Sequence, residues 1–176
     1  MRIIAGEWRG RQIRAPKGDA VRPTLDRVRE AWMSMVHTDL PGARVLDLFS
    51  GSGALGLEAL SRGAEHVDFV ESDPAAFRVL SENIAVLGAG DRCAAHREDA
   101  VKYVLRMADG SGEAAAYDVA FADPPYRKNL AAELAGRWLN RPFATIFGVE
   151  HASSESVPAG GDTRRYGDTS VTIFRT

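Results

Sequence analysis

Two short stretches carry residue types whose spacing could do chemistry. The first reads Val45-Leu46-Asp47-Leu48-Phe49-Ser50-Gly51-Ser52-Gly53-Ala54-Leu55-Gly56-Leu57-Glu58, and Glu71 follows Gly51 by twenty residues. Gly51, Gly53 and Gly56 fit a G-x-G-x-x-G turn between an apolar run and a helix-forming run. Small residues let a ligand approach the backbone, and a helix start offers free N–H groups. An acid at the end of the following strand can accept both ribose hydroxyls. Those features alone suit a dinucleotide oxidoreductase. Asp47 argues against it, because it lies four residues before Gly51, where a pyrophosphate would enter. A carboxylate there repels a polyphosphate and suits a cationic amine. S-adenosylmethionine has an α-ammonium, a sulfonium, a ribose and no phosphate. The bland alternative is a glycine turn beside a solvated Asp.

The second stretch is Asp123-Pro124-Pro125-Tyr126, after the apolar run Ala120-Phe121-Ala122. Two prolines fix two φ angles, and Pro124 holds Asp123 out of the helical region. The result is a stiff ledge without proline N–H groups, offering the Asp123 carboxylate, the Pro124 carbonyl and the Tyr126 ring. Acceptors beside an aromatic plate suit an exocyclic amine on a flat base. Such an amine is a poor nucleophile, since its lone pair is delocalised into the ring. Two acceptors can orient that lone pair toward a methyl group, so catalysis would be positioning and electrostatics. Asp123 could take the proton late, and loss to bulk water is equally open. An ordinary Pro-Pro loop is the bland alternative.

These stretches need elements to hold them. The pattern alternates strand and helix: strands over 43–48, 66–71, 92–97, 117–122 and 144–150, helices over 54–62, from Pro74 to Gly88, 99–108 and 128–139, and a final antiparallel pair over 163–166 and 170–175 around Gly167-Asp168. A loop spans 108–113. Such alternation implies a mostly parallel α/β sheet with helices on both faces, binding ligands beyond the C-terminal strand ends. Asp73 should cap its helix with Pro74 at the first position. Thr24 should cap an earlier helix running to His37, with Val28, Trp32 and Met35 on its apolar face and Arg27 and Arg29 pointing elsewhere. Residues 2–14 read as a β-hairpin around Gly6 and Gly10.

The 176 residues suit a single core. Net charge is −2, yet residues 1–29 hold eight Lys/Arg against three Asp/Glu, a surplus of five that leaves −7 on the rest. A basic arm on an acidic body suggests a polyanion touched at one place, with Arg and Trp8 suited to phosphate and unpaired bases. Composition alone equally allows a solvated charged hairpin. Cys93 is the only cysteine, so no internal disulfide forms, as expected in a reducing cytoplasm. There is no membrane-length apolar run and no signal-peptide pattern. His37, His66, His96 and His151 lack metal-ligand spacing and read as surface or satisfied side chains, so no metal is expected. Trp138 and Phe143 read as packing; Glu150-His151, after the fifth strand, could line the pocket, with a solvated strand end as the blander reading.

The chain resembles the S-adenosylmethionine-dependent seven-stranded methyltransferases and, within them, the 16S ribosomal RNA guanine-N2 methyltransferase family. Three stretches carry the likeness: Arg2-Ile3-Ile4-Ala5-Gly6 with Arg9-Gly10-Arg11 and Arg22-Pro23-Thr24 through Arg29-Glu30; Leu46 through Ala64; and Asp123 to Tyr126. The glycine and Asp-Pro-Pro-Tyr motifs are shared with DNA adenine and cytosine amino-methylases, and the N-terminal stretch discriminates. The resemblance implies a Rossmann-like seven-stranded sheet, mostly parallel with a C-terminal antiparallel hairpin. It would form a methyltransferase domain over 24–176 behind a basic hairpin arm over 1–23. It implies Asp47, Phe49, Ser50, Gly51 and Gly53 at the methionine part of S-adenosylmethionine, Glu71 at the ribose with Ser72 and Asp73 close by, and Asp99 and Ala100 at the adenine. Asp123, Pro124, Pro125 and Tyr126 would hold the target guanine, with Tyr126 stacking on it. Arg9, Arg11, Arg22 and Thr24 would meet RNA, with Arg22 and Thr24 nearest the mouth of the site. The implied partner is 16S rRNA in the small ribosomal subunit or an assembly intermediate, met by a cytoplasmic monomer. Two departures stand out. Trp32-Met33-Ser34 replaces the usual Leu-Phe-Asn, and the stretch from Tyr126 to Glu150 is short. A non-catalytic RNA-binding module is the remaining alternative.

Overall fold

The computed structural model describes residues 1–15, 23–109, 117–126 and 129–176. Seven strands form one sheet: β1 (Arg44–Leu48), β2 (His66–Val70), β3 (Cys93–His96), β4 (Tyr117–Ala122), β5 (Ala144–Ala152), β6 (Asp162–Tyr166) and β7 (Thr169–Arg175). Their order is β3-β2-β1-β4-β5-β7-β6. β1 to β5 pair in parallel, and β7 runs antiparallel to both β5 and β6. The helices are α1 (Pro23–Val36), α2 (Ala54–Ser61), α3 (Pro74–Leu87), α4 (Ala100–Asp109) and α5 (Leu130–Asn140). The chain reverses its winding between β1 and β4, which puts the ligand crevice at their C-terminal ends.

Strand alternation divides the core between two faces. Val45, Val67, Phe69, Phe121 and Ile146 pack under α1, α2 and α3, with Trp32, Leu57, Leu60 and Leu80. Leu46, Leu48, Val70, Ala120, Phe147 and Val149 pack under α4 and α5, with Tyr103, Leu134 and Trp138. Near-continuous burial along β1, β4 and β5 is what a doubly covered parallel sheet demands. Phe143 and Trp138 are packing residues, the Trp138 indole donating to the Ala144 carbonyl.

Local chemistry sets the helix ends. Asp73 caps α3 by accepting from the Ala76 amide at 2.8 Å, with Pro74 at the first position. Gly88, at φ 68°, ends it. Asp99 caps α4, its carboxylate accepting from the Lys102 amide at 2.9 Å. α1 already includes Pro23, so Thr24 lies inside the helix and is not its cap. The loop expected over 108–113 lies largely outside the described residues, as does residue 128, where α5 was expected to begin. α5 begins at Leu130, and β5 continues to Ala152, two residues further than the pattern suggested.

The N-terminal segment is not a regular hairpin. It makes one antiparallel bridge, Arg2 to Gln12, and packs flat on the body. Ile3, Trp8 and Ile13 join the same core as α1, α2 and α3. The fully buried Glu58 holds this segment from α2. Its carboxylate accepts from the Ile4 and Ala5 amides and from Arg62. The Ser61 hydroxyl accepts from the Trp8 amide and donates to the Ala5 carbonyl. Trp8 is therefore a core residue with the Arg92 guanidinium 5.0 Å over its ring, not an aromatic free to stack on a base.

Candidate active site

The sheet register brings the two motifs together. Asp47 pairs with Phe121, and Phe121 with Gly148. Two residues further along their own chains come Asp123 and Glu150, so the period of two puts Asp47, Asp123 and Glu150 on the α1 side of the sheet. They share one cavity of about 160 Å³. Its walls also include Phe49, Ser50 and Gly51 from the glycine turn and Arg29 and Trp32 from α1.

Asp47 is buried, and its carboxylate accepts from the Gly56 amide at 2.9 Å. Burial pushes its pKa up to about 7, against the pull of the Gly56 hydrogen bond and with the charge of Glu71 adding to the rise. A carboxylate taken out of water this way gains most from a cation placed beside it. The turn around it is fixed by backbone: the Ser50 hydroxyl reaches the Asp47 and Val70 carbonyls, and Phe49 takes a positive φ of 58°. The three glycines divide their work. A Cβ on Gly51 would meet open space, whereas one on Gly53 would lie 2.5 Å from Leu80 and one on Gly56 2.3 Å from Phe69. Gly51 is open toward a ligand, and Gly53 and Gly56 let α2 sit against β2 and α3.

Glu71 braces that turn. One carboxylate oxygen accepts from the Gly51 amide at 2.8 Å and the other from the Asp73 amide at 2.7 Å. Each oxygen keeps a second lone pair, enough to accept from a ribose hydroxyl. Ser72 and Asp73 are exposed beside it. Asp99 is exposed and Ala100 buried at the next strand end, so β1, β2 and β3 present an acid apiece along one edge.

On the other side of β1, the Asp123 amide donates to the Leu48 carbonyl at 3.4 Å, tying the proline ledge to the end of β1. Pro124 is buried, Pro125 exposed, and the Asp123 side chain reaches the surface and the cavity. Tyr126, 40% exposed, donates its hydroxyl to Glu150 at 2.9 Å and sits 2.8 Å from the Thr169 hydroxyl. Burial, with the charges of Glu150 and Asp123 nearby, holds that phenol well above its ordinary value, so it stays a donor.

The sequence left Glu150 and His151 open between lining the pocket and a solvated strand end. Glu150 and His151 are buried, not a solvated strand end. His151 contacts the Thr172 hydroxyl at 2.9 Å, and Glu150 receives the Trp32 indole N–H at 3.4 Å. Trp32 is fully buried, edge-on to Phe121 and over Gly148, where a Cβ would fall 2.2 Å from its ring. Its place in the Trp32-Met33-Ser34 departure was the one available signal. Arg29 is buried as well, not turned away: it donates to the Arg2 carbonyl and to Asp26. Asn83 ties the Ser52 carbonyl to the backbone of Arg14.

The structure does not bring Arg9 and Arg11 to this cavity. Arg11 donates to the Val86 carbonyl near the end of α3, and the turn bearing Arg9 lies by Ser61 at the end of α2. Both helices start at the cavity edge of the sheet, so their ends are at the opposite edge. Arg22 lies outside the described residues, as does the side chain of Thr24. Among the described residues no group of three or more His, Cys, Asp or Glu side chains could hold a metal ion. His96 meets Asp68 at 2.7 Å. No described helix is long and apolar enough to cross a membrane.

Residues 1–175 match the family model described as conserved hypothetical protein 95. The ribosomal RNA small subunit methyltransferase D of Escherichia coli K12 is 38% identical over 133 residues, which is 76% of this chain and 64% of that protein, just under two-thirds of its length. The Haemophilus influenzae protein of the same name is 35% identical over 153 residues, 84% of this chain and 77% of that one. The solved structure of yhhF, a candidate methyltransferase from Escherichia coli, superposes with a TM-score of 0.81 at 32% identity, covering 99% of this chain and 97% of that one. The fold is that of the Rossmann-like methyltransferases, and the chain belongs to the family described as conserved hypothetical protein 95, with the small subunit methyltransferase D proteins as relatives.

Proposed function

We propose that this member of the family transfers a methyl group from S-adenosylmethionine to the N2 amine of a guanine in small-subunit ribosomal RNA. The observation that carries the reading is one cavity lined both by the buried Asp47 and by Asp123 of the proline ledge. The residues fit the cofactor: a buried carboxylate for an α-ammonium, open space over Gly51, and spare acceptor sites on Glu71. Asp47 with the turn from Phe49 to Gly53 would hold the methionine part, Glu71 with Ser72 and Asp73 the ribose, and Asp99 with Ala100 the adenine. Bound there, S-adenosylmethionine supplies an electrophilic methyl group on its sulfonium.

Asp123 and the Pro124 carbonyl accept from the two hydrogens of the target amine, which turns its lone pair toward the cofactor. Tyr126 provides the stacking face, its hydroxyl fixed by Glu150 and Thr169. As the new C–N bond forms and the sulfonium's S–CH₃ bond breaks to leave a thioether, the nitrogen becomes acidic, and its proton passes to Asp123 or to bulk water. A duplex hides the target edge, so the base must be unpaired or turned out to enter. The relatives named for small-subunit rRNA support RNA over DNA as the substrate.

The test is mass mapping of methylated nucleotides in ribosomal RNA from cells with and without this gene. One N2-methylguanosine in the small-subunit RNA disappears in the deletion strain if the reading is right. An unchanged small-subunit map, or loss of a methyl mark from DNA instead, overturns it. Calorimetry of the purified protein should give binding of S-adenosylmethionine and none of NAD.

A further inference from the structure

Glu150 has an unusual position for a carboxylate. It is 7% exposed, at the end of a central strand, and it lines the cavity beside Asp123. Tyr126 donates to its Oε1 at 2.9 Å, and the Trp32 indole approaches its Oε2 at 3.4 Å. These two donors come from the ledge and from α1, and Gly148 is the residue that lets Trp32 close over β5. A carboxylate has about four acceptor sites, so each Glu150 oxygen retains one. The proposed transfer of a methyl group does not use them. A buried acceptor held between two donors, with capacity unused and a cavity in front of it, suits a further donor.

The strand register says which donor. Ala122 pairs with Val149, so the next residues along, Asp123 and Glu150, lie side by side at the sheet edge. A base whose amine sits on Asp123 presents its neighbouring ring edge to Glu150. In guanine the atom next to the N2 amine along that edge is N1, which carries a hydrogen. In 2-aminopurine the amine is the same, but N1 carries a lone pair.

Resting on the reading of the site as one for a guanine amine, we propose that Glu150, positioned by Tyr126 and Trp32, accepts from guanine N1–H and thereby sets the base specificity. Arg29, which lines the same cavity and has one buried Nε without a hydrogen-bond partner among the described residues, adds the positive charge that a guanine carbonyl beside N1 would favour. A site that hydrogen-bonds a substrate N–H rejects the analogue lacking it strongly, because the buried acceptor is then left facing a lone pair.

The test uses small-subunit RNA ligated to carry either guanine or 2-aminopurine at the mapped position, both free and reassembled with subunit proteins. The wild-type enzyme should prefer guanine by at least 100-fold in kcat/KM. Glu150→Gln, whose amide can turn its NH₂ toward an N1 lone pair, should lose at least tenfold on guanine and hold less than a tenfold preference. Its affinity for S-adenosylmethionine should stay within twofold of wild type. Retention of the wild-type preference by the variant, whatever its rate, overturns the proposal and leaves Glu150 as a support for Tyr126. Should the variant fail to fold, the wild-type comparison still decides, since equal transfer to both RNAs overturns the proposal alone. No transfer to guanine by the wild type overturns the proposed function as well.

Discussion

Asp47 carries opposite demands. Its burial raises the pKa from the ordinary 3.8 to about 7, so below about pH 7 the ligand-free fold prefers it protonated. The folded state therefore binds a proton that the unfolded state has released between about pH 4 and pH 7. Stability falls as pH rises through that window, and the full cost is present above it. Asp47→Asn should raise the melting temperature at pH 8 by a few degrees, on the order of 1–3 kcal/mol, with the gain shrinking toward pH 4. The same variant should lose at least 50-fold in S-adenosylmethionine affinity by calorimetry, since no anion remains for the ammonium. In the wild type that affinity should weaken about tenfold per unit as pH falls below about 7, because a proton then competes for the carboxylate. Asp123→Ala separates binding from chemistry: kcat should fall roughly 100- to 1,000-fold with cofactor affinity within twofold. A variant that also stops binding the cofactor would show the ledge to be structural.

At the scale of elements, the contact of α2 with β2 decides the shape of the glycine turn. A Cβ on Gly56 would fall 2.3 Å from the Phe69 ring and 2.9 Å from Val67. Both are core side chains on a central strand and cannot yield far. Gly56→Ala should cost about 1–3 kcal/mol by overpacking, and thermal melting should register it. The shift of α2 would also draw the Gly56 amide off Asp47, so cofactor affinity should fall with stability. Loss of stability with unchanged affinity would mean that the amide is not needed to orient the carboxylate. The order of the motifs along the chain was legible because a strand, a glycine turn and a helix each carry a local signal. That Glu150 lines the cavity was only one of two readings open in the sequence. An acid two residues from a strand end reads as solvated until the sheet order sets β5 beside β4 and α1 above it.

For the whole molecule, the N-terminal segment is a part of the core. Ile3, Trp8 and Ile13 are each buried, and Met1 lines the same cavity as Asp47. Deleting residues 2–13 should expose α1 and α2, leave Glu58 buried or half-buried without its amide partners, and cost several kcal/mol. The truncated chain should lack a cooperative melting transition. A stable, cofactor-binding truncation would instead support a separate arm. Charge counting read this segment as basic and free, since burial of Trp8 depends on a partner surface from α2 that lies some fifty residues away.

Local periodicity, glycine spacing and proline stiffness act within a few residues, and they alone specified alternating strands and helices, an acid-bearing glycine turn after β1 and a stiff proline ledge after β4. Which side chains face one another across that pocket was decided by tertiary packing. Placing β4 between β1 and β5 aligned Asp47, Asp123 and Glu150 on one face, and the fit of Trp32 over Gly148 turned a strand-end acid inward. Those contacts join residues far apart in the chain, and no local pattern encodes the register that brings them together.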